Sequence, residues 1–463
     1  LTPAYEETRT LFASHGQEHV LSGWDTLSEI QRKKLLTECA RIDFDWLAKR
    51  WNEFLAAETE SASAMRIDSA PVERLPAAET DKTRWAEAKA VGEEKIRRGA
   101  VAAFLVAGGQ GTRLGFAGPK GCYPIGPLSG KTLFQWHAEQ ILARSRRYNT
   151  SIPWYVMTSE ENDNDTRSFF EKNAFFGLSR NDVFFFRQEM VPCLDLNGKL
   201  MLSSPCSLAM NPNGHGGSLS GLRRSGALAD MQKRGIEILS YFQVDNPLTT
   251  ICDPVFIGWH VKSGSEMSSK VLEKISPEEK MGVVCKKDGK PAIVEYIDMD
   301  NATMHALDSS GKLKFWAGSI AIHMINADFV DSVSSEGKLP WHRSKKKVAY
   351  YDGNRLTTPE TENAIKFETF VFDALPFARA SLNLEVKREH EFAPLKNATG
   401  NDSIASCRDL LSGYFAEWLA RAGVTATNRP VVEISPLYAL DAEELASRIV
   451  PEEMCIEQEL LLA

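Results

Sequence analysis

The chain has 463 residues, 43% hydrophobic and 25% charged, ordinary values for a soluble globular protein with room for two or three domains. Its formal net charge is −8 and it holds no long Lys/Arg block, which argues against nucleic acid as the main partner. No stretch approaches the ~18 apolar residues of a membrane helix, so no membrane partner is expected.

The start, "LTPAYEETRTLFASHGQEHV", has no initiator Met and no uninterrupted apolar stretch, so no signal peptide is visible and the chain reads as trimmed. Residues 1–98 read as a helical amino-terminal domain, in which "DTLSEIQRKKLLTECA" carries a capping-box-like Asp25/Ser28 region and apolar positions at threes and fours. The run 58–83 has no clear period and is expected to wrap a surface. Eight dispersed cysteines (Cys39, Cys122, Cys193, Cys206, Cys252, Cys285, Cys407, Cys455) show neither C-x-x-C nor zinc spacing, so reduced thiols and a cytoplasmic location are expected.

From residue 99 the texture changes. "AVAAFLVA", "KTLFQWHAEQILARSRR", "PWYVMTS", a polar helix over Asp163 to Lys172, and "DVFFFRQ" alternate short apolar runs with amphipathic ones. Such alternation predicts parallel strands with crossover helices. "IEILSYFQVDN", the helix-like "DPVFIGWHVKSG", and the strand-like "GVVCKK", "AIVEYI" and "LKFWAGSIAIHMI" extend it to a mixed sheet of seven or eight strands. The segment 361–378, "TENAIKFETFVFDALPFA", has a helical period. The expected fold is α/β: a Rossmann-like mixed sheet with flanking helices over 99–385, and a small α+β carboxyl-terminal domain over 386–463.

"LVAGGQGTRLGFAGPKG" (105–121) fits neither G-x-G-x-x-G, since position 114 is Leu, nor a Walker A loop. A strand ending at Ala107 runs into Gly108, Gly109 and Gly111, where missing side chains let backbone N–H groups approach an anion. Arg113 and Lys120 add charge within the same loop, and Pro119 stiffens the chain before the lysine. A polyphosphate is favoured here over a tight turn with surface cations.

The loop "AGGQGTRLG…PKG" resembles the signature of the nucleotidyltransferases that make nucleotide sugars, within them the eukaryotic-type UDP-N-acetylhexosamine pyrophosphorylases. "MVPCLDLNGK", "NPNGHGG", "DMQKRGI", "VDN", "DPVFIG", "GVVC", "VEY", "AGSIAIH" and "EFAPLKNA" resemble that family's segments in the same order, over residues 15–440. The resemblance implies Mg²⁺-assisted reaction of UTP with N-acetylglucosamine 1-phosphate to give UDP-N-acetylglucosamine and pyrophosphate, with Mn²⁺ as an alternative metal. Chemistry of this kind asks the protein to position two anions and neutralise charge.

By that resemblance Arg113 and Lys120 receive the leaving pyrophosphate, and Lys396 in "PLKNA" reaches the phosphates from the carboxyl-terminal side. Asp245 ends the apolar run "ILSYFQVD", where strand ends meet ligands in open α/β sheets, and suits Mg²⁺; its other reading is a helix N-cap. Gln188 could pair with uracil through its amide, with Gly109 and Gly214 completing that pocket. Gly282 and Glu295 match sugar positions. The chain departs from the family pattern at His215 and Ser319, where the family has Asn, which opens the choice of sugar. Lys345, Lys346 and Lys347 read as a solvated charge run, although the family places lysines there near the phosphates.

Three alternatives remain at this level: the same reaction with N-acetylgalactosamine, glucose or galactose 1-phosphate; an inactive homologue that senses UDP-sugars; and an NAD-type dehydrogenase, whose glycine fingerprint the chain lacks. Oligomeric state stays open between monomer and dimer.

Overall fold

A computed structural model describes residues 3–59, 66–335, 337–426, 429–450, 455–456 and 458–463. Among them two units are built from interleaved stretches of chain. The larger takes Arg66–Gln188, Ser218–Lys338 and Phe372–Ala463; the smaller takes the described residues of Leu1–Met65, together with Glu189–Gly217 and Leu339–Val371. The sequence texture divided the chain into three consecutive pieces instead, because local periodicity carries no record of which distant segments share a core.

In the larger unit ten described strands form one mixed sheet: β1 (Ile67–Ser69), β2 (Val101–Val106), β3 (Trp154–Thr158), β4 (Val183–Arg187), β5 (Ile238–Gln243), β6 (Met267–Glu273), β7 (Val283–Lys287), β8 (Lys290–Val294), β9 (Ala317–Asn326) and β10 (Ser381–Glu385). Its main path runs β1-β7-β9-β5-β2-β3-β4, with β6 paired to β9 and β10 and β8 to β7. The run β5-β2-β3-β4 is parallel, Phe242 facing Leu105 and Leu105 facing Val156. β2 and β3 are buried along almost their whole length, which is why they read as continuous apolar runs. The count exceeds the seven or eight expected, since β1, β6 and β10 lie outside the apolar runs read as strands from the sequence.

Helix α1 (Glu79–Arg97) crosses α3 (Pro254–Lys262) at close range, with Gly92 and Gly258 at the contact. A methyl placed on Gly258 would lie 1.7 Å from Ala88 O, and one on Gly92 1.8 Å from Pro254 O. Gly258→Ala is therefore expected to lower the thermal midpoint by several degrees, since overpacking against rigid backbone costs ~1–3 kcal/mol or more. An unchanged midpoint by scanning calorimetry would count against this crossing. Helix α2 (Leu133–Tyr148) starts at Thr132, whose hydroxyl accepts the Gln135 N–H (3.2 Å), and stops at left-handed Asn149.

The smaller unit packs helices Pro3–Ser14, Glu29–Cys39 and Phe44–Thr59 on short strands. Its core includes Phe12, Leu35, Leu47, Phe54, Leu194, Ile365 and Phe367. Ser28 caps the second helix in a reciprocal box with Gln31. The expected helix over 361–378 is instead strand Ala364–Glu368, paired with His342–Lys346 and Leu194–Asp195, followed by the 3₁₀ turn Val371–Phe377. Burial alternating over 365–368 serves a sheet, and Pro376 breaks the continuation.

The carboxyl-terminal stretch contributes α4 (Ile404–Arg421) and short strand pairs. The cysteines whose side chains are described are all free, and every one except Cys122 is buried. No described helix is long and apolar enough to cross a membrane.

Candidate active site

The four parallel strands aim their carboxyl ends at one edge of the sheet, the place where open α/β sheets receive ligands. The glycine loop follows β2, Ser159 follows β3, Gln188 follows β4 and Asp245 follows β5.

The loop folds on itself through backbone hydrogen bonds: Gly111 N–H to Gly118 O (2.9 Å), Lys120 N–H to Gly109 O (3.0 Å) and Leu114 N–H to Gly111 O (2.8 Å). Its glycines serve different ends. A methyl on Gly111 would lie 2.8 Å from the Phe116 ring, and one on Gly108 3.0 Å from Gln188 Oε1. On Gly109 it would meet no protein atom within 4 Å. Gly109 thus borders open space, while Gly108 and Gly111 make room for neighbours.

Asn162, fully buried, braces the loop from the side: its Nδ2 donates to Ala107 O (2.9 Å) and Gly109 O (3.3 Å), and its Oδ1 accepts the Ser159 N–H (2.8 Å). A second brace is His137 on α2, whose Nε2–H donates to Val244 O (3.1 Å) beside Asp245. Burial holds this imidazole down at about 4, so it is neutral near pH 7. Neither residue was visible in the sequence. Isolated Asn and His carry no spacing signal, and their importance comes from the carbonyls they meet.

Lys120 is buried, and its Nζ lies 3.3 Å from Asp245 Oδ2. Asp245 caps no helix. The residue that does is Asp253, whose Oδ1 accepts the Val255 N–H (2.9 Å) at the start of α3. The backbone also brings Lys396 to this edge: Leu395 N–H donates to Asp245 O (2.8 Å), and Asn246 bonds Glu391 O and the Ala393 N–H (2.7 and 3.0 Å). Lys396 Nζ lies 3.3 Å from Asp402 Oδ2, with its side chain 42% exposed. Arg113 is exposed and has no side-chain partner among the described residues.

Gly282, Glu295 and Ser319 come together at the β7–β9 pairing. Ser319 N–H donates to Gly282 O (2.8 Å), and a methyl on Gly282 would lie 3.0 Å from Glu295 Oε1 and 2.8 Å from Ile293. Ala321, at φ +56°, breaks the register of β9, and its N–H donates to Ser319 Oγ (3.4 Å). This irregularity sets the direction of Ser319.

Gly214 and His215 belong to the smaller unit. Gly214 has φ +80°, and a methyl there would lie 2.3 Å from Thr369 O. His215 Nδ1 accepts the Val371 N–H (3.1 Å), and its ring stacks on Phe370, which stacks in turn on His342. Burial, then the nearby His342, lower its pKa to about 4. The neutral ring carries its proton on Nε2, where the Asn expected from the resemblance would offer an amide donor. Lys345, Lys346 and Lys347 are exposed, Lys345 over the Phe54 ring.

The mixed α/β fold that carries this glycine loop is similar to that of solved UDP-N-acetylglucosamine pyrophosphorylases. Residues 48–449 match the family described as UTP--glucose-1-phosphate uridylyltransferase, and the chain belongs to that family. It is 33% identical to the UDP-N-acetylglucosamine pyrophosphorylase of Saccharomyces cerevisiae over 95% of this chain and 96% of that one. It is 38% identical to the UDP-N-acetylhexosamine pyrophosphorylase-like protein 1 of Homo sapiens, covering 90% and 86%. The crystal structure of the Trypanosoma brucei uridine diphosphate N-acetylglucosamine pyrophosphorylase, in complex with an inhibitor, superposes with TM-score 0.85 at 26% identity, over 100% and 99% of the two chains.

Proposed function

We propose that this chain transfers the uridylyl group of UTP to N-acetylglucosamine 1-phosphate, giving UDP-N-acetylglucosamine and pyrophosphate. The observation that carries this reading in the geometry is the Lys120–Asp245 pair, a buried cation against a carboxylate, at the strand edge where Gly109 faces open space.

In this reaction a phosphate oxygen of the sugar phosphate bonds to the α-phosphorus of UTP while the bond to the β-phosphate bridging oxygen breaks, and the electron pair leaves with pyrophosphate. No covalent nucleophile is required. The loop N–H groups border the triphosphate, and Arg113, Lys120 and Lys396 offset the charge of two anions that must meet. Gln188 reads the base with Gly108, Gly109 and Gly111 beside it. Gly282, Glu295 and Ser319 take the sugar side, the carboxylate accepting hydroxyl hydrogen bonds.

Mg²⁺ fits this donor set. No group of three or more His, Cys, Asp or Glu side chains forms a protein-only metal cage among the described residues. A single carboxylate such as Asp245 suits Mg²⁺, which keeps waters and takes further oxygens from phosphates, and Mn²⁺ could replace it. Bound there, the ion would supply charge neutralisation at the phosphates.

Pyrophosphate release measured over N-acetylglucosamine, N-acetylgalactosamine, glucose and galactose 1-phosphates tests the proposal. Turnover is expected with an N-acetylhexosamine, and its absence for both amino sugars would refute the reading. Lys396→Ala should lower turnover by roughly 10²–10³-fold, the cost of removing one charge-stabilising donor. Its thermal midpoint should stay put, because the exposed Lys396–Asp402 pair contributes little to stability. Turnover within threefold of the parent would remove Lys396 from the site.

A further inference from the structure

Gln188 lies against the glycine loop: a methyl on Gly108 would be 3.0 Å from its Oε1. Uracil offers an oxygen acceptor beside an N–H donor, and cytosine offers a donor and an acceptor in reverse order. A glutamine amide carries one of each, so it favours uracil only while it is held in one orientation and at one distance from the loop. What holds Gln188 therefore bears on the choice of base.

Asp163, 2% exposed, opens helix Asp163–Lys172. Its Oδ1 accepts the Thr158 hydroxyl (2.6 Å), and its Oδ2 accepts Nε–H from Arg187 (2.8 Å) and from Arg167 (2.9 Å). Burial opposes the charge, but the hydrogen bonds from Arg167, Thr158 and Arg187 outweigh it and hold the pKa below the usual carboxylate value. Thr158 ends β3 and Arg187 ends β4, and the Gln188 N–H donates to Thr158 O (2.8 Å). One carboxylate thus grips the residue before Gln188 and the residue that accepts its backbone N–H. The loop side of the gap is held by the neighbour of Asp163, Asn162, through Ala107 O and Gly109 O.

We propose that Asp163 is a positioning residue for the Gln188 amide, acting through Thr158 and Arg187, and that it helps set the preference for uracil over cytosine. The inference rests on the reading that Gln188 meets the base. A cluster that merely fastened the helix to the sheet would affect stability and leave the choice of base untouched.

Calorimetric titration of the full chain with UTP and with CTP, in Mg²⁺ and without a sugar phosphate, tests the proposal. The parent is expected to bind UTP at least about 100-fold tighter than CTP. Asp163→Asn keeps the shape but has one acceptor oxygen for donors from Thr158, Arg187 and Arg167, and should narrow that ratio at least about tenfold. The Arg187 side chain is 52% exposed, so Arg187→Ala cuts one tie with little effect on folding, and it decides the matter if Asp163→Asn does not fold. It should narrow the ratio at least about threefold, and Arg187→Lys, whose ammonium can still reach Asp163, should restore it. Gly258→Ala, destabilised at a remote helix crossing, should keep the parent ratio. A parent that does not prefer UTP would remove the base reading of Gln188 and this inference with it. A parent that does, with its full ratio kept in Arg187→Ala or lost equally in Gly258→Ala, would overturn the role of Asp163 alone.

Discussion

Lys120→Met is expected to lower turnover by roughly 10²–10³-fold, the effect of removing one donor aimed at developing phosphate charge. The loss reaches beyond the missing cation, because Lys120 Nζ is the group that faces Asp245 Oδ2 at 3.3 Å, and its removal leaves that carboxylate beside an incoming triphosphate. The thermal midpoint should fall too, since breaking a buried pair from one side strands the other charge. The double variant Lys120→Met/Asp245→Asn should recover the midpoint and leave turnover low. Paired melting curves and pyrophosphate-release rates separate the two effects. Turnover of the single variant within threefold of the parent would remove Lys120 from the chemistry.

Gly109→Val is expected to behave in the opposite way, with an unaltered fold and a crippled site. A methyl added on Gly109 meets no protein atom within 4 Å, whereas one on Gly121 would lie 2.2 Å from the Phe134 ring. The valine should therefore leave the melting curve unchanged and weaken UTP by about 10–100-fold, the equivalent of ~1–3 kcal/mol of steric overlap with a ligand. Gly121→Val provides the contrast: it should lose stability first. Unchanged UTP affinity in Gly109→Val would mean that the open space beside Gly109 is not where the nucleotide lies.

The sequence revealed the sheet interior best. β2, β3 and β5 are buried on both faces, so their apolar runs need no partner information to be read, and helix Asp163–Lys172 formed where its polar pattern placed one. The glycine loop was legible because its cations and glycines lie within seventeen residues. What failed was non-local. Segment 364–368 became a strand because it pairs with residues around 194 and 345, and the supports of the site, Asn162 and His137, matter through carbonyls at 107, 109 and 244. The sugar-side cluster was read from resemblance alone, and the reason Gly282 is a glycine emerges only when Glu295 and Ile293 are seen against it.

The interleaving of the two units has a consequence during synthesis. The helices within residues 3–59 bury Phe12, Leu35 and Phe54 with Ile365 and Phe367, so the core they share is incomplete until residue 371 has left the ribosome. At about 5–20 residues per second that wait lasts roughly 15–60 s, during which those helices expose an apolar face on a nascent chain. Chaperone dependence and aggregation on truncation should therefore be governed by whether 339–371 is present, however intact the amino-terminal helices are.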